Sequence, residues 1–143
     1  MNDLIEQLKM AFANTYAFYL KAQNYHWNVE GPLFPMYHDF FGDLYAEVGG
    51  SIDPFAEQIR AQGAYAPGAF SRFIELSNIQ DETLVVPASD MLKNLYADNF
   101  SVYSSIKAAR DLADTYGKSG LVNFLEGRLD AHKKHEWMLK ASL

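Results

Sequence analysis

Apolar residues along this 143-residue chain recur at steps of three and four, the period of a helix, and strand-like alternation is scarce. The first run, Leu4, Leu8, Ala11, Thr15, Phe18, Ala22 and Tyr25, predicts a helix reaching about Trp27. Asn2 or Asp3 can cap its start, and Gly31 and Pro32 break it. A second run, Tyr37, Phe41, Leu44, Tyr45, Val48, Ile52, Phe55 and Ile59, predicts a helix from near Phe34 to before Gly63, with Pro35 suited to its first turn. Gly49, Gly50 and Pro54 weaken its middle, and one bent helix is expected there because a proline removes a backbone donor. The third long helix carries Met91, Leu95, Val102, Ile106 and Leu112 and runs to Gly117. Ser119 can cap a fourth, with Leu121, Leu125, Leu129 and Trp137, which extends nearly to Leu143.

Connection lengths select the topology. The first and third connections are short, so each joins antiparallel neighbours. The middle connection, Gly63 to Pro87, is about 25 residues, enough to cross the length of a bundle, and Phe70, Phe73, Ile74 and Leu76 predict a short helix within it. The expectation is a single all-α domain over residues 1–143, a four-helix bundle with one long crossover. Internal repeats, low-complexity tracts and second-domain signals are absent.

Composition narrows the function classes. A hydrophobic content of 49% suits a packed core, and zero Cys excludes both disulfides and thiolate metal sites. The opening Met1-Asn2-Asp3-Leu4-Ile5-Glu6 carries acids where a signal peptide carries positive charge, and no stretch of 18 apolar residues exists. A cytoplasmic protein without a membrane partner is expected. The formal net charge of −6 repels phosphate and suits cations.

The candidate metal ligands are His26, His38, Asp53 and Glu57. Asp53 and Glu57, four apart, share a helix face. His26 ends the first helix and His38 opens the second, so the two can meet across the tight turn. From His38 to Asp53, fifteen residues of helix span about 22 Å. The histidine pair and the carboxylate pair therefore cannot form one site within one chain. They can form one between two chains whose second helices pack antiparallel about a two-fold axis, giving two sites per dimer. Nitrogen and carboxylate ligands with open positions suit iron that must bind, react and leave. The Glu-x-x-His motif of intrachain di-iron sites does not occur.

The segment His26-Trp27-Asn28-Val29-Glu30-Gly31-Pro32, followed by Phe34 and His38 and then by Asp53 and Ala56-Glu57, resembles the signature of the Dps family of mini-ferritins. The closing His135-Glu136-Trp137-Met138-Leu139-Lys140-Ala141 is similar to that family's last helix, and the two antiparallel pairs with one crossover match the ferritin-like arrangement. The resemblance covers essentially the whole chain. It implies a homo-oligomeric dodecameric shell whose ferroxidase sites take His26 and His38 from one subunit and Asp53 and Glu57 from its two-fold mate, with Trp27 close by. It also implies oxidation of ferrous iron, by hydrogen peroxide or oxygen, and storage of ferric iron against oxidative stress.

One departure stands out. The family usually supplies a further carboxylate four residues after the second histidine, and here that position is Gly42. Asp43 and Asp39 are the nearest substitutes. One good iron position and one poor one are expected, which keeps alive a shell that only sequesters metal. On the fourth helix Asn123, Glu126 and Asp130 stand where the family often builds acidic pores. His132, His135 and Glu136 form a cluster that could bind a metal but is read first as an exposed helix end, and Glu47 is a candidate cavity-facing carboxylate. DNA-binding members usually carry a Lys/Arg-rich tail, which is absent, so a DNA-compacting role is disfavoured.

Overall fold

The computed structural model describes all 143 residues and contains six helices and no strand: α1 Asn2–Asn28, α2 Phe34–Gly49, α3 Ile52–Ala61, α4 Phe70–Leu76, α5 Ala88–Thr115 and α6 Ser119–Ser142. The bundle is built from α1, the α2–α3 pair, α5 and α6. Helix α1 packs against α2 and α5, and α5 packs against α6. The buried stripe of α1 contains Leu4, Leu8, Ala11, Thr15, Phe18, Ala22 and Tyr25, the residues of the helical periodicity. It meets Phe41, Val48, Phe55 and Ile59 of α2 and α3, and Leu95, Val102 and Ile106 of α5, in one apolar core. No helix is long and apolar enough to cross a membrane.

Two tight connections make antiparallel pairs. Gly31 adopts φ +122° in the turn from α1 to α2, and Gly117 adopts φ +67° between α5 and α6. Residues with a Cβ rarely occupy that region, so glycine permits both reversals. The crossover is pinned by polar contacts rather than by a core of its own. Lys21 Nζ donates to the Gln80 carbonyl and pairs with Asp98 at 2.8 Å. The Tyr25 hydroxyl donates to Glu82, and Asn94 donates to Tyr25 in turn. Midway, α4 lies across α1 with Phe73 stacked on Tyr16, centroids 4.5 Å apart.

Between α2 and α3 the structure corrects the expectation of one bent helix: Gly50 and Ser51 separate two helices. Pro54 has no N–H to return to the Gly50 carbonyl, so the ladder loses a bond there. The Ser51 N–H and hydroxyl both turn back to the Val48 carbonyl, at 3.0 and 2.6 Å. Gly50 and Ser51 keep right-handed helical angles, so the two segments continue in sequence along one layer of the bundle.

The second correction concerns α6. Trp137 is 67% exposed and does not belong to the core stripe. The buried face runs Leu121, Leu125, Arg128, His132, His135 and Leu139, at steps of four and three with three polar residues in the middle. His132 is fully buried, and its Nδ1 sits 2.8 Å from Asn99 Oδ1 while Asn99 Nδ2 donates to the His132 carbonyl. The cluster read as an exposed helix end is thus two buried histidines and a half-buried Glu136.

Burial, reinforced by the neighbouring Arg128 and His135 charges, holds the His132 pKa well below its usual 6.5. The folded chain then keeps His132 neutral while the unfolded chain takes up a proton as pH falls through about 6.5. Stability should be level above that pH and drop on acidification, by up to about 1.4 kcal/mol per pH unit. Melting temperatures from pH 8 to 5 should show the decline in the wild type and a weaker one in His132→Gln; parallel curves would refute it.

Candidate metal centre

His26 sits in the last turn of α1 and His38 near the start of α2, brought together by the Gly31 turn. Each ring closes on the other residue's backbone: His26 Nδ1 lies 2.6 Å from the His38 carbonyl oxygen, and His38 Nδ1 lies 2.6 Å from the His26 carbonyl oxygen. A carbonyl can only accept, so each Nδ1 carries the hydrogen and donates. In the neutral ring this leaves the lone pair on Nε2, the tautomer a metal ligand requires. The rings stack with centroids 3.8 Å apart and planes 17° from parallel. Phe34 flanks His38 at 5.1 Å and Tyr45 flanks His26 at 5.2 Å, which confines the pair from both sides. Both histidines remain partly accessible, whereas the neighbouring Trp27 is largely exposed.

Asp53 and Glu57 lie one helical turn apart on α3, both exposed. Asp53 belongs to the first turn, where backbone N–H groups favour a negative charge. No three His, Asp or Glu side chains gather in a metal-binding cluster within the chain. The donors therefore form two half-sets at opposite ends of the α2–α3 layer. Asp39 and Asp43 are also exposed on α2.

Asn123, Glu126 and Asp130 are exposed on α6, and their spacing keeps them on one side of the helix. Glu126 is not a free carboxylate, because Arg110 donates to it through Nε at 2.9 Å. Glu47, the candidate cavity-facing carboxylate, is also held by charged partners. Arg128 grips it with two nitrogens at 2.8 and 3.0 Å, and His135 Nε2 lies 2.7 Å away. The His135 hydrogen bond, with Arg128 behind it, holds the Glu47 pKa far below the ordinary carboxylate range. Sequence reasoning missed this network because charged residues at core-period positions read as surface. The usable signal was the unbroken four-and-three spacing from Leu121 to Leu139.

The helices and their connections define a ferritin-like bundle. A model of the ferritin-like domain matches residues 5–143. The DNA protection during starvation protein of Brevibacillus brevis is 32% identical over 136 residues, covering 95% of this chain and 91% of the relative. The crystal structure of Dps from Staphylococcus aureus superposes with a TM-score of 0.94 at 29% identity, covering all of this chain and 96% of that one. That of a Dps protein from Vibrio cholerae, described as a member of a superfamily of ferritin-like diiron-carboxylate proteins, gives 0.93 at 25% identity, covering 98% and 88%. The chain belongs to the ferritin-like family, in its Dps branch.

Replacing Glu47 by Ala strands the buried Arg128 guanidinium. Removing one partner of a buried pair costs several kcal/mol, and the partial exposure of Glu47 reduces that here to about 2 kcal/mol. Chemical denaturation of Glu47→Ala beside the wild type should show this loss, and an unchanged midpoint would contradict the assignment.

Proposed function

We propose that this protein is a mini-ferritin whose ferroxidase centres form between two-fold-related subunits. His26 and His38 of one subunit face Asp53 and Glu57 of the other, and an antiparallel pairing of the α2–α3 layers supplies two such centres per dimer. The observation that carries this reading is the pair of half-sets: two imidazoles with Nε2 free, and two unpaired carboxylates too distant to join them in one chain. Membership of the Dps branch supports it.

Ferrous iron is the substrate. Imidazole nitrogen and carboxylate oxygen both suit it, and the carboxylates favour the ferric product. Hydrogen peroxide is the proposed oxidant. It takes one electron from each of two ferrous ions, its O–O bond breaks, and two protons complete two waters. No free radical leaves the site when both electrons arrive together. We further propose that the product collects inside a closed dodecameric shell, with Asn123 and Asp130 beside the partly neutralised Glu126 at an entry route.

Gly42 supports a second reading. With no side chain there to add a carboxylate, the second iron position relies on Asp39 or Asp43, and a shell that sequesters metal without fast oxidation follows. One experiment separates the two. Protein loaded with ferrous iron under anaerobic conditions is mixed with peroxide, and ferric-oxo absorbance is followed in the wild type and in Asp53→Ala/Glu57→Ala. Fast growth confined to the wild type is the result expected for a ferroxidase; equal background rates in both would leave the sequestering shell.

A net charge of −6 on every subunit repels polyanions. No DNA mobility shift is therefore expected at physiological salt, and a robust shift there would overturn that expectation.

A further inference from the structure

A line of aromatic rings leads away from the His26 end of the centre. Tyr45 of α2 flanks the His26 ring with centroids 5.2 Å apart, Tyr19 of α1 lies 5.9 Å beyond Tyr45, and Tyr16 lies 5.7 Å beyond Tyr19. The line ends where Phe73 of the crossover stacks on Tyr16 at 4.5 Å. All three tyrosines are half-buried. Phenylalanine would serve the packing as well, because the hydroxyls hold little of the fold together. Those of Tyr16 and Tyr45 are neither bonded within the chain nor sealed from solvent, and Tyr19 accepts only a long bond of 3.4 Å from Gln23. What a phenol adds to such a line is chemistry: it gives up an electron once its proton can leave, whereas the phenyl ring of Phe73 does not.

We propose that Tyr45, Tyr19 and Tyr16 form an electron relay that lets the centre reduce peroxide while it holds a single ferrous ion. This rests on the proposed ferroxidase centre and on the poor second iron position that Gly42 leaves. Hydrogen peroxide must take two electrons to become two waters, and one ferrous ion gives only one. Left there, the O–O bond breaks to hydroxide and a hydroxyl radical. Tyr45 supplies the second electron through the His26 ring it flanks, and its phenolic proton passes to the solvent at its hydroxyl. One ferrous ion, one peroxide, one tyrosine and one proton thus give one ferric ion, two waters and a tyrosyl radical. The O–H bond of a phenol is far weaker than that of water, so the exchange runs downhill. The radical then passes to Tyr19 or Tyr16, chemically equal neighbours, and so leaves the site. The next ferrous ion to bind returns an electron, water returns a proton, and the tyrosine is restored. Two irons are oxidised for each peroxide, although only one is bound at a time.

The test uses the assembled protein, loaded anaerobically with one ferrous ion per centre, mixed with one equivalent of hydrogen peroxide and frozen at intervals for electron paramagnetic resonance. The wild type should show a tyrosyl radical alongside ferric iron, with a hyperfine pattern that changes when the protein carries ring-deuterated tyrosine. A second equivalent of ferrous iron should quench that radical and yield a second equivalent of ferric iron. Tyr45→Phe should lose the radical and release hydroxyl radical to a spin trap instead, with its melting temperature unchanged. Tyr19→Phe should confine the radical to Tyr45 and shorten its life. Tyr116→Phe is the control: that residue bonds Asp3 at the opposite end of α1 from His26, and its variant should give the wild-type signal. Ferric iron without a tyrosyl radical in the wild type would overturn the relay, as would an undiminished radical in Tyr45→Phe. A radical on tryptophan that disappears in Trp27→Phe would overturn it too, by placing the electron source at the exposed neighbour of His26. In each of these results the centre still oxidises iron and only the relay fails. If Asp53→Ala/Glu57→Ala forms ferric iron and radical as the wild type does, the metal-centre reading fails and the relay falls with it.

Discussion

A helix advances about 1.5 Å per residue, so the fifteen residues from His38 to Asp53 form a spacer of roughly 22 Å with a donor set at each end. The interruption at Gly50 and Ser51 does not fold this spacer back on itself, because both residues keep right-handed helical angles. Everything proposed for function depends on that separation. Two imidazoles alone, or two exposed carboxylates alone, make a poor iron site. A pairing that superposes opposite ends of two such layers turns two incomplete sets into complete ones, and it makes assembly a condition of chemistry.

The spacer is held at both ends and in the middle by different interactions. At its start the reciprocal histidine–carbonyl bonds tie α2 to the end of α1. Near its middle Glu47 is gripped by Arg128 and His135, which sit on the buried face of α6 beside the Asn99–His132 pair. Apolar packing by Phe55 and Ile59 carries the far end. The charged network is a stringent requirement, since a buried arginine without its carboxylate is strongly unfavourable, and it accepts few alternative registers of α6 against α2. The orientation of the carboxylate end relative to the histidine end follows from these anchors together.

Much of this was legible in the sequence. The α1 stripe was read residue by residue, because a long amphipathic helix leaves an unambiguous period. Both reversals were marked by glycine, and the crossover by its length. The break at Gly50–Ser51 was harder to read: Gly49, Gly50 and Pro54 signal weakness, but whether a weak point bends or interrupts a helix depends on local bonds such as Ser51 to Val48. The polar face of α6 was missed for a different reason. Arg128, His132 and His135 are core residues only because Glu47 and Asn99 arrive from other helices to satisfy them, and long-range pairing of that kind leaves no local trace.

The central claim is that each centre draws its histidines and its carboxylates from different subunits, and subunit mixing tests it most directly. His26→Ala/His38→Ala and Asp53→Ala/Glu57→Ala are each inactive alone on this account, since every centre then lacks half its ligands. Co-expressed in equal amounts, they form mixed dimers in which one centre has all four ligands and the other has none. Random pairing should restore about a quarter of the wild-type centres, and with them about a quarter of the peroxide-driven iron oxidation. Mixed assemblies as inactive as either parent would contradict the intersubunit centre and point to a site contained within one chain.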